Sequence, residues 1–120
     1  MRAMALKVYQ YAKCSTCRKA IKWLEAHEVK HALVPIVEQP PSSAELKRAL
    51  KAGVSLRGLF NTSGESYRNG NFKARLPEMS EAEALAALAA DGKLIKRPFA
   101  IAGDTVLVGF DQAAWARAFG

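Results

Sequence analysis

Alternating apolar and polar residues at the start of the chain predict a strand, and helical spacing after it predicts a helix. Residues 5–11 alternate with the period of two that is typical of a short strand. After Cys14 the apolar residues recur every three or four positions, which predicts an amphipathic helix of about three turns. These apolar positions are Cys17, Ile21 and Leu24, with Ala20, Trp23 and His27 beside them.

A second apolar segment, residues 31–37, predicts the next strand. Its β-branched residues favour extended backbone. Pro35 favours an edge position or a bulge, because proline cannot donate a hydrogen bond to a neighbouring strand. Strand, helix and strand in this order predict a βαβ unit whose two strands run parallel.

A helical insert is predicted at about residues 40–92. Its expected elements are a helix at 43–52, a helical turn at 56–60, a polar loop at 61–64 and a helix that ends near residue 90. Ser42 and Glu45 have the spacing of a capping box at the start of the first helix, and Ser80 is a cap for the last one. Helices in the middle of the chain therefore separate the βαβ unit from whatever follows.

Two further strands and a helix are predicted at the end of the chain. The strands are residues 99–102 and 105–110, joined by the turn pair Gly103 and Asp104, and Asp111 caps a helix that ends near Phe119. The element order is β-α-β, helical insert, β-β-α. It predicts an α/β protein of the thioredoxin-like fold, with a small mixed four-stranded sheet and one domain over residues 1–120.

Length, apolar runs and charge indicate which classes of protein the sequence can belong to. The 120 residues are 50% hydrophobic, enough for one core. No segment has the apolar run of a secretory signal or the roughly 18 apolar residues that span a bilayer, so a cytoplasmic protein without a membrane partner is expected. The net charge is +7, but basic residues never run longer than two together. A solvated basic surface is the favoured interpretation, and direct nucleic-acid binding is not expected.

The cysteine pair Cys14 and Cys17 is the strongest candidate for chemistry. A thiol attacks as the thiolate, and the first turn of a helix stabilises an anion through its unpaired N–H groups and its dipole. Lys13 and Arg18 add positive charge nearby. Cys14 is the expected nucleophile, at the non-helical cap position that lets the pair close, and Cys17 the more buried partner. The alternative is that both are ordinary buried residues.

A zinc site is the other interpretation of these cysteines, because Cys14, Cys17, His27 and His31 follow a C-x2-C, H-x3-H spacing. Residues 17–27, if helical, span about 15 Å, whereas ligand atoms lie about 2.0–2.3 Å from zinc. No metal is therefore expected.

A second candidate site is Arg97-Pro98, just before the third strand. Proline there suits the first residue of a strand or a cis turn. In the thioredoxin arrangement this position lies opposite the helix that carries the nucleophile, so Arg97 would face whatever reacts with Cys14. A guanidinium suits oxyanions and carboxylates. The alternative is a surface arginine beside a structural proline.

As a set, these residues resemble the arsenate reductase and Spx-like family, closest to the Spx-like branch with its CxxC motif. The resembling stretches are Cys14-Ser15-Thr16-Cys17-Arg18-Lys19-Ala20, Glu38-Gln39-Pro40-Pro41-Ser42, Leu59-Phe60-Asn61-Thr62-Ser63-Gly64, Ile95-Lys96-Arg97-Pro98 and Val108-Gly109-Phe110. The resemblance covers nearly the whole chain and implies a nucleophile at Cys14 and an anion-facing Arg97. Reductases of the family attack arsenate and use glutathione and glutaredoxin. Where they carry two further anion-binding arginines, this chain has Asn61 and Gly109.

The leading hypothesis is a thiol-disulfide oxidoreductase without a bound cofactor, with glutathione as co-substrate and glutaredoxin as a candidate partner. Its catalytic residues are Cys14 and Cys17, and its substrate- and anion-binding residues are Arg97, Lys13, Arg18, Pro98 and Asn61. The alternative is a redox-sensing regulator that binds the RNA polymerase alpha subunit, as the resemblance implies for Spx-like members. A third is a weak arsenate reductase that keeps Cys14 and Arg97 and leaves Cys17 as a bystander.

Overall fold

Four short strands form one mixed sheet in the order β2-β1-β3-β4. The computed structural model describes residues 5–120, and residues 1–4 of the predicted domain lie outside the described residues. The strands are β1 Lys7–Gln10, β2 Ala32–Pro35, β3 Phe99–Ala102 and β4 Thr105–Val108. β1 pairs parallel with β2 and antiparallel with β3, and β3 pairs antiparallel with β4. The predicted mixed sheet is confirmed, and the chain has a thioredoxin-like fold.

Six α-helices and three single 3₁₀ turns lie between and after the strands in the described part of the chain. The helices are α1 Ser15–Ala26, α2 Ser43–Lys51, α3 Glu65–Asn69, α4 Phe72–Arg75, α5 Glu81–Ala90 and α6 Gln112–Phe119, and the 3₁₀ turns are Arg57–Leu59, Leu76–Glu78 and Gly92–Leu94. α3 and α4 are not predicted from sequence, because five and four residues are too few to show a helical period. Within residues 5–120 no helix is long and apolar enough to span a bilayer.

The two faces of the sheet bury separate cores. Successive strand residues point to opposite faces, so Val8 and Ala100 pack with Trp23 of α1 and Trp115 of α6. The residues in between pack under the helical insert on the other face; they are Tyr9, Phe99 and Ile101. Helices cover both faces of the sheet. Tyr9 is therefore buried, although β1 also carries polar residues.

Where element ends differ from the predictions, they differ by one or two residues. The strand predicted at 31–37 is only Ala32–Pro35, and its edge position confirms the expectation from Pro35. The strand predicted to reach Phe110 ends at Val108, because Gly109 has a φ of +77° and turns the chain out of the sheet. The predicted cap at Asp111 is confirmed by its side chain, which accepts from the Ala113 N–H at 3.1 Å.

The capping box at the start of α2 is joined to the sheet through Glu45. Ser42 Oγ accepts from the Glu45 N–H at 3.2 Å, and the Glu45 carboxylate accepts from the Ser42 N–H at 3.3 Å. The same carboxylate accepts from the Tyr9 hydroxyl at 2.6 Å and pairs with Lys7 at 2.6 Å. Glu45 is only 8% exposed. It therefore ties the first helix of the insert to the central strand.

We expect Glu45→Gln to lower the free energy of unfolding by about 1–3 kcal/mol at pH 7, because a buried network loses its charge-assisted bonds. Burial by itself would raise the pKa of Glu45, but the bonds from Lys7, Tyr9 and Ser42 outweigh it and lower the pKa. A lowered folded-state pKa stabilises the fold above the ordinary carboxyl value and loses that effect as pH falls through the lowered value. The gap between the two proteins in urea unfolding should therefore shrink in acid.

Glu83→Gln is the matched control for this prediction. Glu83 completes the same capping box at α5 with Ser80, but it is exposed and contacts no buried partner. Its replacement should cost clearly less stability than Glu45→Gln. Equal losses would show that the cap alone, and not the link to Lys7 and Tyr9, carries the effect.

Candidate functional site

Cys14 occupies the N-cap of α1, in the turn that leaves β1. Its backbone is extended, with φ −92° and ψ 116°, and its N–H donates to the Tyr11 carbonyl at 3.0 Å. Its sulfur accepts from the Cys17 N–H at 3.4 Å, in place of the oxygen that usually caps a helix. This confirms the predicted cap position. The first turn of the helix thus directs the Cys17 N–H at a sulfur atom.

The pKa values of the two cysteine thiols are shifted in opposite directions. Both cysteines are free thiols. Partial burial would raise the pKa of the Cys14 thiol, but bonds from the N–H and thiol of Cys17, together with the hydrogen bonding and charge of Arg97, outweigh it and lower the pKa. Cys17 is fully buried, and this burial, reinforced by the neighbouring Cys14 sulfur, raises its pKa to about 12. Cys14 is therefore the thiol that ionises first.

Arg97 faces Cys14 from the residue pair that precedes β3. The Arg97-Pro98 peptide bond is cis, one of the two geometries expected for this proline. Pro98 is buried, and its carbonyl accepts from the Gly109 N–H at 2.8 Å, which joins the start of β3 to the end of β4. The Arg97 guanidinium lies over the Tyr11 ring, 4.8 Å from its centroid.

A short antiparallel pairing brings Asn61 of the insert to the same place. Phe60 forms an isolated bridge with Ile95. On either side, the Asn61 N–H donates to the Leu94 carbonyl and the Lys96 N–H donates to the Leu59 carbonyl, each at 2.8 Å. The insert is thus fastened to the segment that carries Arg97, although it is far away in sequence.

These elements enclose an open cleft of about 440 Å³, here called the cysteine cleft. Its lining residues are Cys14, Thr16, Asn61, Lys96, Arg97, Val108, Gly109, Phe110 and Asp111. An adjoining cleft of about 390 Å³, here called the side cleft, shares Asn61 and Arg97 with it and is also lined by Tyr11 and Lys93. A thiolate, a guanidinium and an ammonium that meet in one cleft can bind and attack a substrate that carries a negative charge.

Of the residues predicted to bind an anion, Arg97 and Asn61 line the cysteine cleft and Lys13, Arg18 and Pro98 do not. Lys13 and Arg18 are exposed, and Arg18 reaches back to donate to the Ala12 carbonyl at 2.9 Å. Arg18 therefore holds the turn before the helix. Pro98 acts on the cleft through its backbone bond to the end of β4.

Lys96 is a cleft residue that the sequence analysis did not single out. The Lys96 side chain passes over Gly109. A Cβ atom added to Gly109 would lie 3.1 Å from the Lys96 Cε atom. Neighbouring residues of an extended segment normally point to opposite sides, so nothing in the sequence places Lys96 beside Arg97. The missing side chain at Gly109 leaves the room that brings the second cation into the cleft.

The two histidines of the weighed zinc motif have other contacts. The His27 ring stacks on Trp23 with centroids 4.3 Å apart, and its Nδ1 lies 2.9 Å from the Trp23 carbonyl. Nδ1 of His31 lies 2.7 Å from the Val29 carbonyl. In the part of the chain that the structure describes, no three Cys, His, Asp or Glu residues are grouped to hold a metal.

The sheet order, with a cysteine at the N-cap of the first helix opposite a cis-proline segment, is that of a thioredoxin-like protein. The family model described as the ArsC family matches residues 9–118. The chain belongs to this family, which confirms the resemblance noted from its motifs.

Known proteins resemble the chain over nearly its full length. YusI of Bacillus subtilis (strain 168), named as uncharacterized, is 52% identical over 91% of this chain and 93% of its own. The crystal structure of an ArsC family related protein from Bacteroides fragilis has a TM-score of 0.90 at 39% identity and covers 97% of this chain and 98% of that one. The B. subtilis regulatory protein MgsR is 27% identical over 88% of this chain and 83% of its own. Other relatives are named arsenate reductases.

Proposed function

We propose that the protein is a thiol-disulfide oxidoreductase in which Cys14 is the nucleophile and Cys17 the resolving thiol. The observation that carries the proposal is the position of the Cys14 sulfur, which caps α1 by accepting from the Cys17 N–H and lines one cleft with Arg97. An activated thiolate beside a second thiol is the arrangement that thiol-disulfide exchange requires. The family includes both enzymes and regulators, so the enzyme assignment rests on this site.

The proposed reaction has two exchange steps. The Cys14 thiolate attacks one sulfur of a substrate disulfide, forms a mixed disulfide and releases the other half as a thiolate. Cys17 then loses its proton and attacks the Cys14 sulfur, which forms the Cys14–Cys17 disulfide and releases the second substrate thiol. Two molecules of glutathione restore the reduced pair and become one molecule of oxidised glutathione.

The high pKa of Cys17 is compatible with its role as the resolving thiol. Burial is the largest cause of the rise to about 12, and the hydrogen bond and negative charge of the Cys14 sulfur add to it. Once Cys14 is in a mixed disulfide, its negative charge is gone, and the pKa of Cys17 falls toward the value that burial alone sets. Cys17 is thus protected until the first step is complete.

Arg97 and Lys96 suit a substrate with a carboxylate or another anionic group near the reacting sulfur. Arginine can bind a carboxylate through two parallel hydrogen bonds, and Lys96 supplies a compact second charge. Glutathione carries two carboxylates and is the proposed co-substrate, with no bound cofactor and glutaredoxin as a candidate partner. Asn61 contributes an uncharged amide to the same cleft.

A redox-sensing regulator is the second candidate, because MgsR and other relatives are named as regulators of transcription. In that case the Cys14–Cys17 disulfide would change a surface that binds the RNA polymerase alpha subunit. The same cysteine chemistry serves both candidates. Turnover separates them, since a sensor binds its partner without repeated reduction of a substrate.

We expect Cys14 to react with iodoacetamide with an apparent pKa clearly below about 8.5, the ordinary value of a free cysteine. Cys17 should remain nearly unreactive through neutral pH, because its pKa is about 12 and its side chain is buried. The measurement is the alkylation rate of each cysteine against pH, followed by mass spectrometry of peptides. A Cys14 pKa at or above 8.5 would remove the basis of the proposal.

Turnover assays then decide between the candidates. Glutathione-dependent reduction of hydroxyethyl disulfide, followed through NADPH and glutathione reductase, supports the enzyme. No turnover with this disulfide, together with binding to purified RNA polymerase alpha that depends on oxidation, supports the regulator. Reduction of arsenate without loss on Cys17→Ser would instead assign Cys17 the role of a bystander.

A further inference from the structure

Tyr11 contacts both the backbone of Cys14 and the guanidinium of Arg97. Its carbonyl accepts from the Cys14 N–H at 3.0 Å, which closes the turn before α1. Its ring lies under the Arg97 guanidinium, 4.8 Å from centroid to Cζ. The ring also lines the side cleft and packs against the core under the insert. One residue therefore connects the backbone of the nucleophile to the side chain of the facing cation.

Arg97 has few other contacts that could hold it in place. Within residues 5–120 the one ion pair joins Lys7 to Glu45, so no carboxylate pairs with Arg97 in the described chain. Asp111 lines the same cleft, but its side chain accepts from the Ala113 N–H at the start of α6. A half-buried arginine has several rotatable bonds, and without a partner it would visit many orientations.

The face of an aromatic ring restricts a guanidinium without neutralising it. Cation–π attraction holds the planar group parallel or close to the ring and leaves its N–H donors free at the edge. A carboxylate partner would hold Arg97 as well, but it would compete with an anionic substrate for the same donors. A tyrosine ring is therefore the type of support that suits a cation whose task is to bind an anion.

We infer that Tyr11 is a positioning residue that holds the Arg97 guanidinium toward Cys14 and makes the cysteine cleft selective for anionic substrates. Tyr11 lines the side cleft and not the cysteine cleft, and it acts through Arg97. The inference rests on the proposed function only for the role of Cys14 as an attacking thiolate. It predicts a preference between reagents that the cysteine pair alone would not produce.

The test compares two alkylating reagents that differ mainly in charge. Iodoacetate is an anion and iodoacetamide is neutral, and both alkylate the Cys14 thiolate. The ratio of their rate constants at Cys14 is measured by mass spectrometry at a pH where the thiolate is fully formed. A change in thiolate content or in folding moves both rates together, whereas loss of an oriented cation lowers the iodoacetate rate alone.

We expect Tyr11→Leu to lower this ratio about three- to tenfold, the range that loss of a cation–π contact gives. Tyr11→Phe keeps the ring and should keep the ratio. Arg97→Ala should lower the ratio at least as far, and adding Tyr11→Leu to it should lower the ratio no further. The other cation that faces Cys14, Lys96, is unchanged in all these variants and sets the remaining preference.

Three results would overturn the inference: an unchanged ratio in Tyr11→Leu, a loss in Tyr11→Phe as large as in Tyr11→Leu, or additive losses in the double variant. Circular dichroism and urea unfolding of each variant show whether the fold is kept, and a second ring-free variant, Tyr11→Met, replaces Tyr11→Leu if that protein does not fold. The ratio does not depend on turnover. A protein that reduces no disulfide can still show it, so the inference and the proposed function fail separately.

Discussion

Replacing Cys14 with serine is expected to reduce glutathione-dependent disulfide reduction about 10³-fold or more, the scale seen when a nucleophile is removed. A serine hydroxyl at the same N-cap would still accept from the Cys17 N–H and keep the helix. It does not ionise near neutral pH and cannot form a disulfide, so the first exchange step is lost. The measurement is the rate of hydroxyethyl disulfide reduction at fixed glutathione.

Cys17→Ser is the matched control, because it makes the same atomic change one turn further into the helix. It should leave the first step intact and remove the second, so that with hydroxyethyl disulfide and no glutathione the mixed disulfide between Cys14 and mercaptoethanol accumulates and is visible in the intact mass. The pKa of Cys14 should stay lowered, because the serine hydroxyl can donate to the Cys14 sulfur in place of the Cys17 thiol. If Cys14→Ser remained active while Cys17→Ser was inactive, Cys17 would be the nucleophile and Cys14 the resolving thiol.

Trp115→Ala is expected to lower the free energy of unfolding by about 3–5 kcal/mol, the usual cost of truncating a buried aromatic residue. Trp115 is fully buried under the sheet and packs edge-on against Trp23, Phe110 and Phe119, with ring centroids 6.3, 5.2 and 5.4 Å away. Its loss would leave a large cavity between α1, α6 and the sheet. Urea unfolding followed by circular dichroism measures the change.

Trp115→Phe separates packing from the polar role of the indole. The indole N–H donates to the Gly109 carbonyl at 3.1 Å, and this bond is buried. Phenylalanine fills much of the space but leaves that carbonyl without its partner, which should cost about 1–3 kcal/mol. Because Gly109 lines the cysteine cleft, Trp115→Phe should also alter the alkylation rate of Cys14 in folded protein. Equal destabilisation by both variants would show that packing contributes little beyond the hydrogen bond.

The capping residues were the most informative part of the sequence. Ser42, Ser80 and Asp111 begin helices where the sequence predicts them, because a cap acts on N–H groups two or three residues away. The same local logic places Cys14 at the start of α1. The long-range role of Gly92 has no signal in the sequence, because it depends on Ile36, whose carbonyl a Cβ atom at Gly92 would collide with.

The sequence by itself determined the order of strands and helices, the thioredoxin-like fold and the place of Cys14, because each depends on periodicity or on caps within a few residues. Only the tertiary structure decided which cations meet the sulfur. Lys13 and Arg18 are close to Cys14 in sequence and lie outside the cleft, whereas Lys96 and Arg97 are distant and line it. That choice depends on side-chain direction and on open space at Gly109, which arise when separate segments pack together and leave no local pattern to read.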